Sequence, residues 1–425
     1  MAAQMSAAIQ DAPARQGAGR WRILTGVFAF MLASSVPMSF FYYVFPPMLR
    51  ASGHSAELVS ALALVYLPYV LRGLWAFAIA RALGGRAQAW RRATLLLSIL
   101  AAVGVLALLP LDPARQPGPI MAVAAVLFLV LASGMTTLDG YVLATLGEQG
   151  RAAVPGWGAA GMALGGILVG VASWLGWIGG AWGQGIWLLA AMTLAPALAV
   201  AILPPQAAAE PADPATPPRP RPPLRGLWRA VWQDPALPRL VLVSLLAHGA
   251  IGLVSGYLPV LQVDAGLQIG EIGLFSAVAA NGLGLAGAVI GGGIVARIGG
   301  WKSLSLVTML LALCLGVAAA LHGLIWGRGF AVALTAVTML AGYIYYVPYR
   351  ALCLQSSRGD HAVTQAAWLS SCDMVVSILA MSVAGTLAAR LGLVPFLVLC
   401  TLAASGAALV ALRQALPARA ALAPN

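Results

Sequence analysis

The sequence predicts an all-α membrane protein with twelve transmembrane helices in two pseudo-symmetric six-helix bundles. Three observations carry this. First, 61% of the 425 residues are hydrophobic and only 8% are charged, against about 25% charged in a soluble domain; the mean hydropathy is +0.90. Second, the apolar residues lie in continuous runs of about twenty, the length that crosses the hydrocarbon core, which excludes a barrel of alternating strands. Third, landmarks of the first half recur in the second. Twelve acidic residues are too few to solvate a globule of 43.6 kDa. A soluble enzyme, a disordered regulator and a disulfide-knit secreted protein are therefore excluded.

The spans follow in order. The first, 23–49, is longer than a signal-peptide apolar region and no small-residue cleavage site follows it. Spans 57–80, 93–111 and 119–146 are separated by loops bearing Arg, Gly or Pro, and 154–177 and 183–203 complete the first six. The second six are 240–262, 270–296, 303–321, 329–349, 363–388 and 393–412. Each is long enough to cross, the longer ones with tilt or an extension beyond the bilayer.

The basic residues orient the chain. All but Lys302 are Arg, and with a cytoplasmic N-terminus nineteen lie on the cytoplasmic side, including Arg15, Arg20, Arg22, Arg91 and Arg92. Four lie opposite (Arg50, Arg115, Arg328 and Arg390), and Arg72 lies inside the second span. That bias follows the positive-inside rule and puts both termini in the cytoplasm. It also explains the net charge of +12 without nucleic acid as a partner. The cysteines Cys314, Cys353, Cys372 and Cys400 form no CxxC pair and read as small buried hydrophobes.

Residues 1–22 are then an N-terminal tail, 23–203 one bundle, 204–239 a linker, 240–412 the other bundle and 413–425 a C-terminal tail. The linker is rich in Pro, Ala and Arg. Behind it Leu224, Leu227, Trp228, Val231 and Trp232 fall at helical spacing, an amphipathic helix suited to the cytoplasmic membrane face. The halves echo one another: Ala80-Arg81-Ala-Leu-Gly84-Gly85-Arg86 is answered by Ala296-Arg297-Ile-Gly299-Gly300-Trp-Lys302, and Pro47 by Pro259. Six spans, a basic linker and six repeating spans are the layout of a two-bundle transporter with a central site.

On these residues the chain resembles the major facilitator superfamily. The basic, Gly-rich turns after spans 2 and 8 are similar to that superfamily's signature, and the resemblance gives Arg81, Gly84, Arg86, Arg297, Gly299 and Lys302 a gating role. The acidic residue usual before the Arg is replaced by Ala80 and Ala296. Leu67-Pro68-Tyr69-Val70-Leu71-Arg72-Gly73-Leu74-Trp75-Ala76, Asp139-Gly140-Tyr141 and Pro259-Val-Leu-Gln-Val-Asp264-Ala-Gly266 resemble the AmpG-like branch, nearest to siderophore permeases of the rhizobactin/pyochelin importer type. The resemblance implies an inner-membrane secondary transporter that imports a ferri-siderophore or similar chelate, coupled to protons, by alternating access. A muropeptide or amphiphile permease, an exporter and a transporter-shaped sensor are the alternatives.

Few residues are available for chemistry, because a charge near the bilayer centre costs roughly 3 kcal/mol or more and usually faces water and a partner. Arg72, with Tyr69 and Trp75 three residues to either side, is the candidate for binding an anionic substrate; its alternative is a structural pair with Asp139. Asp139, Asp373 and His248 are candidates for proton coupling, since buried carboxylates and imidazole exchange protons; the alternatives are a solvated helix end or a pair with Arg151 for Asp139, a hydrogen-bonded structural acid for Asp373 and a packing residue for His248. Tyr42, Tyr43, Tyr346 and Tyr349 are candidates to line the substrate path by stacking, or else belong to an interfacial aromatic belt. His54, His322 and His361 lack ligand spacing, so no metal site and no cofactor is expected. No GxxxxGK[ST] loop occurs, so ATP is not the energy source, and no constellation suggests an enzyme. The expected partners are a small-molecule chelate or amphiphile and the lipid bilayer, around a monomer.

Overall fold

The computed structural model describes residues 2–83, 87–146, 154–178, 181–205, 236–356 and 362–416. Twelve of the helices among them are long and apolar enough to cross a membrane. In chain order they are α1 (Gly19–Ala51), α2 (Ala56–Ala76), α3 (Ala87–Leu106), α4 (Pro117–Val142), α5 (Trp157–Trp174) and α6 (Trp182–Ile202). Then come α7 (Leu237–Asp264), α8 (Ile269–Ile298), α9 (Gly300–Ile325), α10 (Arg328–Cys353), α11 (Ser371–Leu391) and α12 (Leu393–Ala415). The number of spans expected from hydropathy is met. The amphipathic segment 224–232 and the turn residues Gly84 and Arg86 lie outside the described residues.

Boundaries shift where polarity and helicity part company. The third span was expected at 93–111, but its helix begins at Ala87 and ends at Leu106. Arginine lowers hydropathy without breaking a helix, so Arg91 and Arg92 sit inside it. Arg91 also donates to the Leu203 and Ala201 carbonyls at 2.5 and 2.9 Å, meeting the free carbonyls at the end of α6.

Contacts divide the chain into two units. Unit 1 holds Met1–Phe45 and Pro68–Pro218; unit 2 holds Pro46–Leu67 and Arg219–Asn425. The strap Pro46–Leu67, expected in the first bundle from its position in the chain, therefore packs with the second. Its anchors are specific. Arg50 forms a fork on Asp264, with Nε to Oδ1 and Nη2 to Oδ2 both 2.8 Å. Ser60 Oγ donates to the Ser382 carbonyl at 3.1 Å and accepts from the Gly385 amide at 3.0 Å.

Within unit 1, α5 lies close along α1 through small residues. A Cβ on Gly165 would lie 2.7 Å from the Ser35 Cβ, and one on Gly161 2.5 Å from the Phe28 carbonyl; only glycine lets the backbones approach so closely. Within unit 2, α9 packs on α12 and α7 on α11, around a core that includes Leu304, Leu311, Phe396, Cys400 and Ala404. None of the four cysteines is in a disulfide; Cys353 and Cys400 are buried, but Cys372 is half-buried and Cys314 exposed. Cys314 sits on α9, the most hydropathic span, whose outward face suits lipid.

Five spans depart from α geometry among the described residues; α6 ends in the 3-10 turn Val200–Ile202 and α8 carries the π turn Phe275–Ala279. In α1, Phe40–Val44 is a π turn in which the Phe45 amide reaches back to the Phe40 carbonyl. In α2, Leu62–Tyr66 is a 3-10 turn, Leu67–Val70 is α-helical, and the chain turns at Leu71 and Arg72 before helix resumes at Gly73. Pro68 lacks the amide that an unbroken helix would use there. In α7, Ser244–His248 is a π turn, with the Gly249 amide donating to the Ser244 carbonyl.

Candidate functional site

The polar groups expected to act gather at two places, one in each unit. In unit 1 the centre is Arg72, at the break in α2. Spacing suggested one continuous helix bearing Tyr69, Arg72 and Trp75. The turn instead separates them: the guanidinium carbon lies 5.4 Å from the centre of the Tyr69 ring, while Trp75 Nε1 donates to Ser133 Oγ on α4 at 3.1 Å. Arg72 Nη1 is buried without a hydrogen-bond partner. Asp139 is exposed and close enough for its charge to act on Arg72, yet among the described residues the two form no ion pair. A buried cationic nitrogen with no acceptor is unfavourable, and among the described residues none accepts from Nη1.

In unit 2 the centre is Asp373 on α11, 1% exposed. Its Oδ1 accepts from Ser244 Oγ at 2.6 Å and from Tyr345 OH at 3.2 Å. His248 Nδ1 lies 2.9 Å from Oδ2. The approach is close but lacks the alignment of a hydrogen bond. Tyr345 faces the imidazole, ring centres 5.3 Å apart, and stacks on Tyr349 at 5.4 Å and 21°. The Tyr349 hydroxyl is buried and makes no well-aligned hydrogen bond. Asp373 and His248, expected as separate candidates, thus belong to one cluster. Ser244 and Tyr345 complete it, and sequence reasoning gave neither a role. The available signals were Ser244 four residues before His248 and Tyr345 four before Tyr349, spacings that share a helix face.

The remaining candidates scatter. Tyr42 and Tyr43 lie in the α1 π turn, their rings edge to face at 4.8 Å, with Tyr42 exposed and Tyr43 half-buried. Tyr346 is exposed, whereas Tyr349 is sealed into the Asp373 cluster. Arg81, Arg297 and Lys302 are exposed. Gly299 joins α8 to α9 at a φ of 82°, a backbone conformation that favours glycine.

The family profile described as Major Facilitator Superfamily matches residues 23–364. The chain belongs to the major facilitator superfamily. At that level it is a secondary transporter with a multi-pass membrane body. No curated protein sequence matches it. Solved superfamily structures share its fold. A bacterial homologue of the iron transporter ferroportin, in an inward-facing state, aligns with a TM-score of 0.60 at 14% identity, covering 93% of this chain and 99% of that one. A bacterial homologue of the human lysosomal transporter Spinster gives 0.62 at 14%, over 93% and 95%. The nucleoside transporter NupG gives 0.64 at 11%, over 92% and 97%. At such identities the likeness is one of fold, so the cargo has to be argued from this chain's own residues.

Proposed function

We propose that the protein is a proton-coupled importer of an anionic chelate, a ferri-siderophore or a close analogue. It would work as a monomer in a bacterial inner membrane, with both termini in the cytoplasm. The observation that carries the reading is Arg72: a buried guanidinium nitrogen without an acceptor, backed by the face of Tyr69. A carboxylate, hydroxamate or catecholate oxygen supplies the missing acceptor, and an aryl group of such a chelator stacks on a tyrosine ring. The iron arrives as cargo inside its chelator. The Asp139 charge nearby opposes unselective anion binding and helps release. Asp139, Asp373 and His248 are the groups through which a proton gradient would drive accumulation. The likeness of 67–76, 139–141 and 259–266 to siderophore permeases also supports the choice of cargo.

The test is uptake of ferric chelates into proteoliposomes under an imposed acid-outside gradient, with radiolabelled anhydro-muropeptide as a parallel cargo. Chelate accumulation by the wild type that disappears in Arg72→Ala supports the reading. Accumulation of muropeptide alone, or wild-type chelate uptake by Arg72→Ala, overturns it.

A further inference from the structure

A carboxylate withdrawn from water is unfavourable unless donors or a cation meet its charge. Around Asp373 that need is met entirely within unit 2, by two hydroxyls on Oδ1 and an imidazole beside Oδ2. Ser244, Tyr345 and Asp373 are each 1% exposed, whereas the His248 side chain keeps 14% exposure. Of the four, His248 alone touches both the surface and the carboxylate. Ser244 and His248 are the first and last residues of the α7 π turn, and that wide turn brings both onto one carboxylate. Such turns are rare and concentrate at functional positions.

We propose that Ser244, His248, Asp373 and Tyr345 form a single proton-binding site internal to unit 2, with His248 as the port through which the proton passes and Ser244 and Tyr345 as positioning residues for the carboxylate. Its physiological use rests on the proton-coupled reading above. A proton taken from water binds the imidazole. The ring then turns to aim its N–H at Oδ2, the N–H bond breaks as the O–H bond forms, and the imidazole is left neutral. One proton enters and one charge is neutralised, with no other reactant. Anion recognition then belongs to Arg72 of unit 1, and Asp373 of unit 2 binds its proton independently of Asp139. The other titratable groups on which the Asp373 charge acts are Tyr349 and Cys353 of α10 and Cys372 of α11, and the charge on Arg350 acts on Cys353. Each of these is a thiol, a phenol or a cation. None of them supplies a second carboxylate.

Infrared difference spectroscopy of the purified full-length protein in lipid, titrated with acid and without cargo, tests this. Acidification is expected to raise a carboxylic-acid C=O band that Asp373→Asn abolishes and Asp139→Asn leaves in place. Ser244→Ala and Tyr345→Phe each remove a donor to the charged form, and are expected to move the band's midpoint about one pH unit upward, tenfold in proton affinity. Ser244→Thr, which keeps the hydroxyl, restores it. After a pH jump, His248→Gln is expected to slow the band's appearance about tenfold. A band that survives Asp373→Asn overturns the site. Midpoints unchanged in both Ser244→Ala and Tyr345→Phe overturn the positioning roles, and unslowed protonation in His248→Gln overturns the port. If Asp373→Asn does not fold, the midpoints and the His248→Gln rate decide. Because no cargo is present, failure of chelate transport leaves this result intact, and loss of the band leaves the cargo assignment intact.

Discussion

Replacing Gly385 by alanine is expected to loosen the strap Pro46–Leu67 from α11. A Cβ at that position would fall inside the Ala56 carbonyl and lie 2.7 Å from Ser60 Oγ. The Ala56 atoms are backbone, so no side-chain rotation relieves the overlap. Overpacking of this kind costs about 1–3 kcal/mol, and about 2 kcal/mol lowers the population of the docked strap roughly 30-fold. The ion pair Arg50–Asp264 is the more conspicuous anchor, but its side chains are 28% and 35% exposed. Such a pair is worth about 1 kcal/mol or less, about fivefold in population. The glycine contact should therefore outweigh the salt bridge. Val59, 2% exposed, provides the readout: Val59→Cys in a background without Cys314, Cys353, Cys372 and Cys400, labelled with a maleimide. The labelling rate is expected to rise roughly 30-fold in Gly385→Ala and no more than about fivefold in Arg50→Ala. An unchanged rate in Gly385→Ala, or a larger effect from Arg50→Ala, would refute the reasoning.

Other expectations follow from single contacts. Gly165→Val drives a side chain against Ser35, whose Cβ would be 2.7 Å from the new Cβ; it should lower stability by about 1–3 kcal/mol, read as a lower midpoint in a thermal-aggregation assay. Trp75→Phe removes the bond to Ser133, which keeps its own bond to the Leu129 carbonyl, so the loss should stay near 1 kcal/mol in the same assay. Asp139→Asn changes an exposed side chain without an ion pair, and the same midpoint should move by no more than about 0.5 kcal/mol equivalent. Asp373→Ala strands two buried hydroxyls and should cost about 2 kcal/mol or more.

The sequence disclosed most where the bilayer acts as a coarse filter. Twenty apolar residues in a row have few alternatives to a spanning helix, so the span count follows from hydropathy alone. Hydropathy is blind to partners. The break at Leu71 and Arg72 was legible only as Pro68 and Gly73 flanking an Arg, and periodicity read straight through it. Asp373 and His248 stood out as rare polar residues, but 125 positions of sequence between them give no hint that they touch. Arg50 and Asp264 were simply loop charges. Yet they lie 214 residues apart, within the offsets that relate Pro47 to Pro259 and Arg81 to Arg297. Equivalent places in the two repeats thus carry opposite charges.

Two of the departures from α geometry lie at the ends of the strap Pro46–Leu67. The chain passes between the units after Phe45 and after Leu67, and the π turn Phe40–Val44 and the 3-10 turn Leu62–Tyr66 abut those two crossings. A regular helix is stiff, and its bends arise at such irregular turns or at Pro. These turns allow the helix axis to bend at each crossing. Arg72 lies five residues beyond the second crossing, at the break in α2 that sets where its guanidinium stands. Removing that irregularity tests the idea. Pro68→Ala restores the missing amide and should favour a continuous α2, with Arg72 realigned on one helical face. Chelate affinity in the variant is expected to fall about tenfold, with Trp75 still bonded to Ser133. Unaltered affinity would mean that the break serves packing and not recognition.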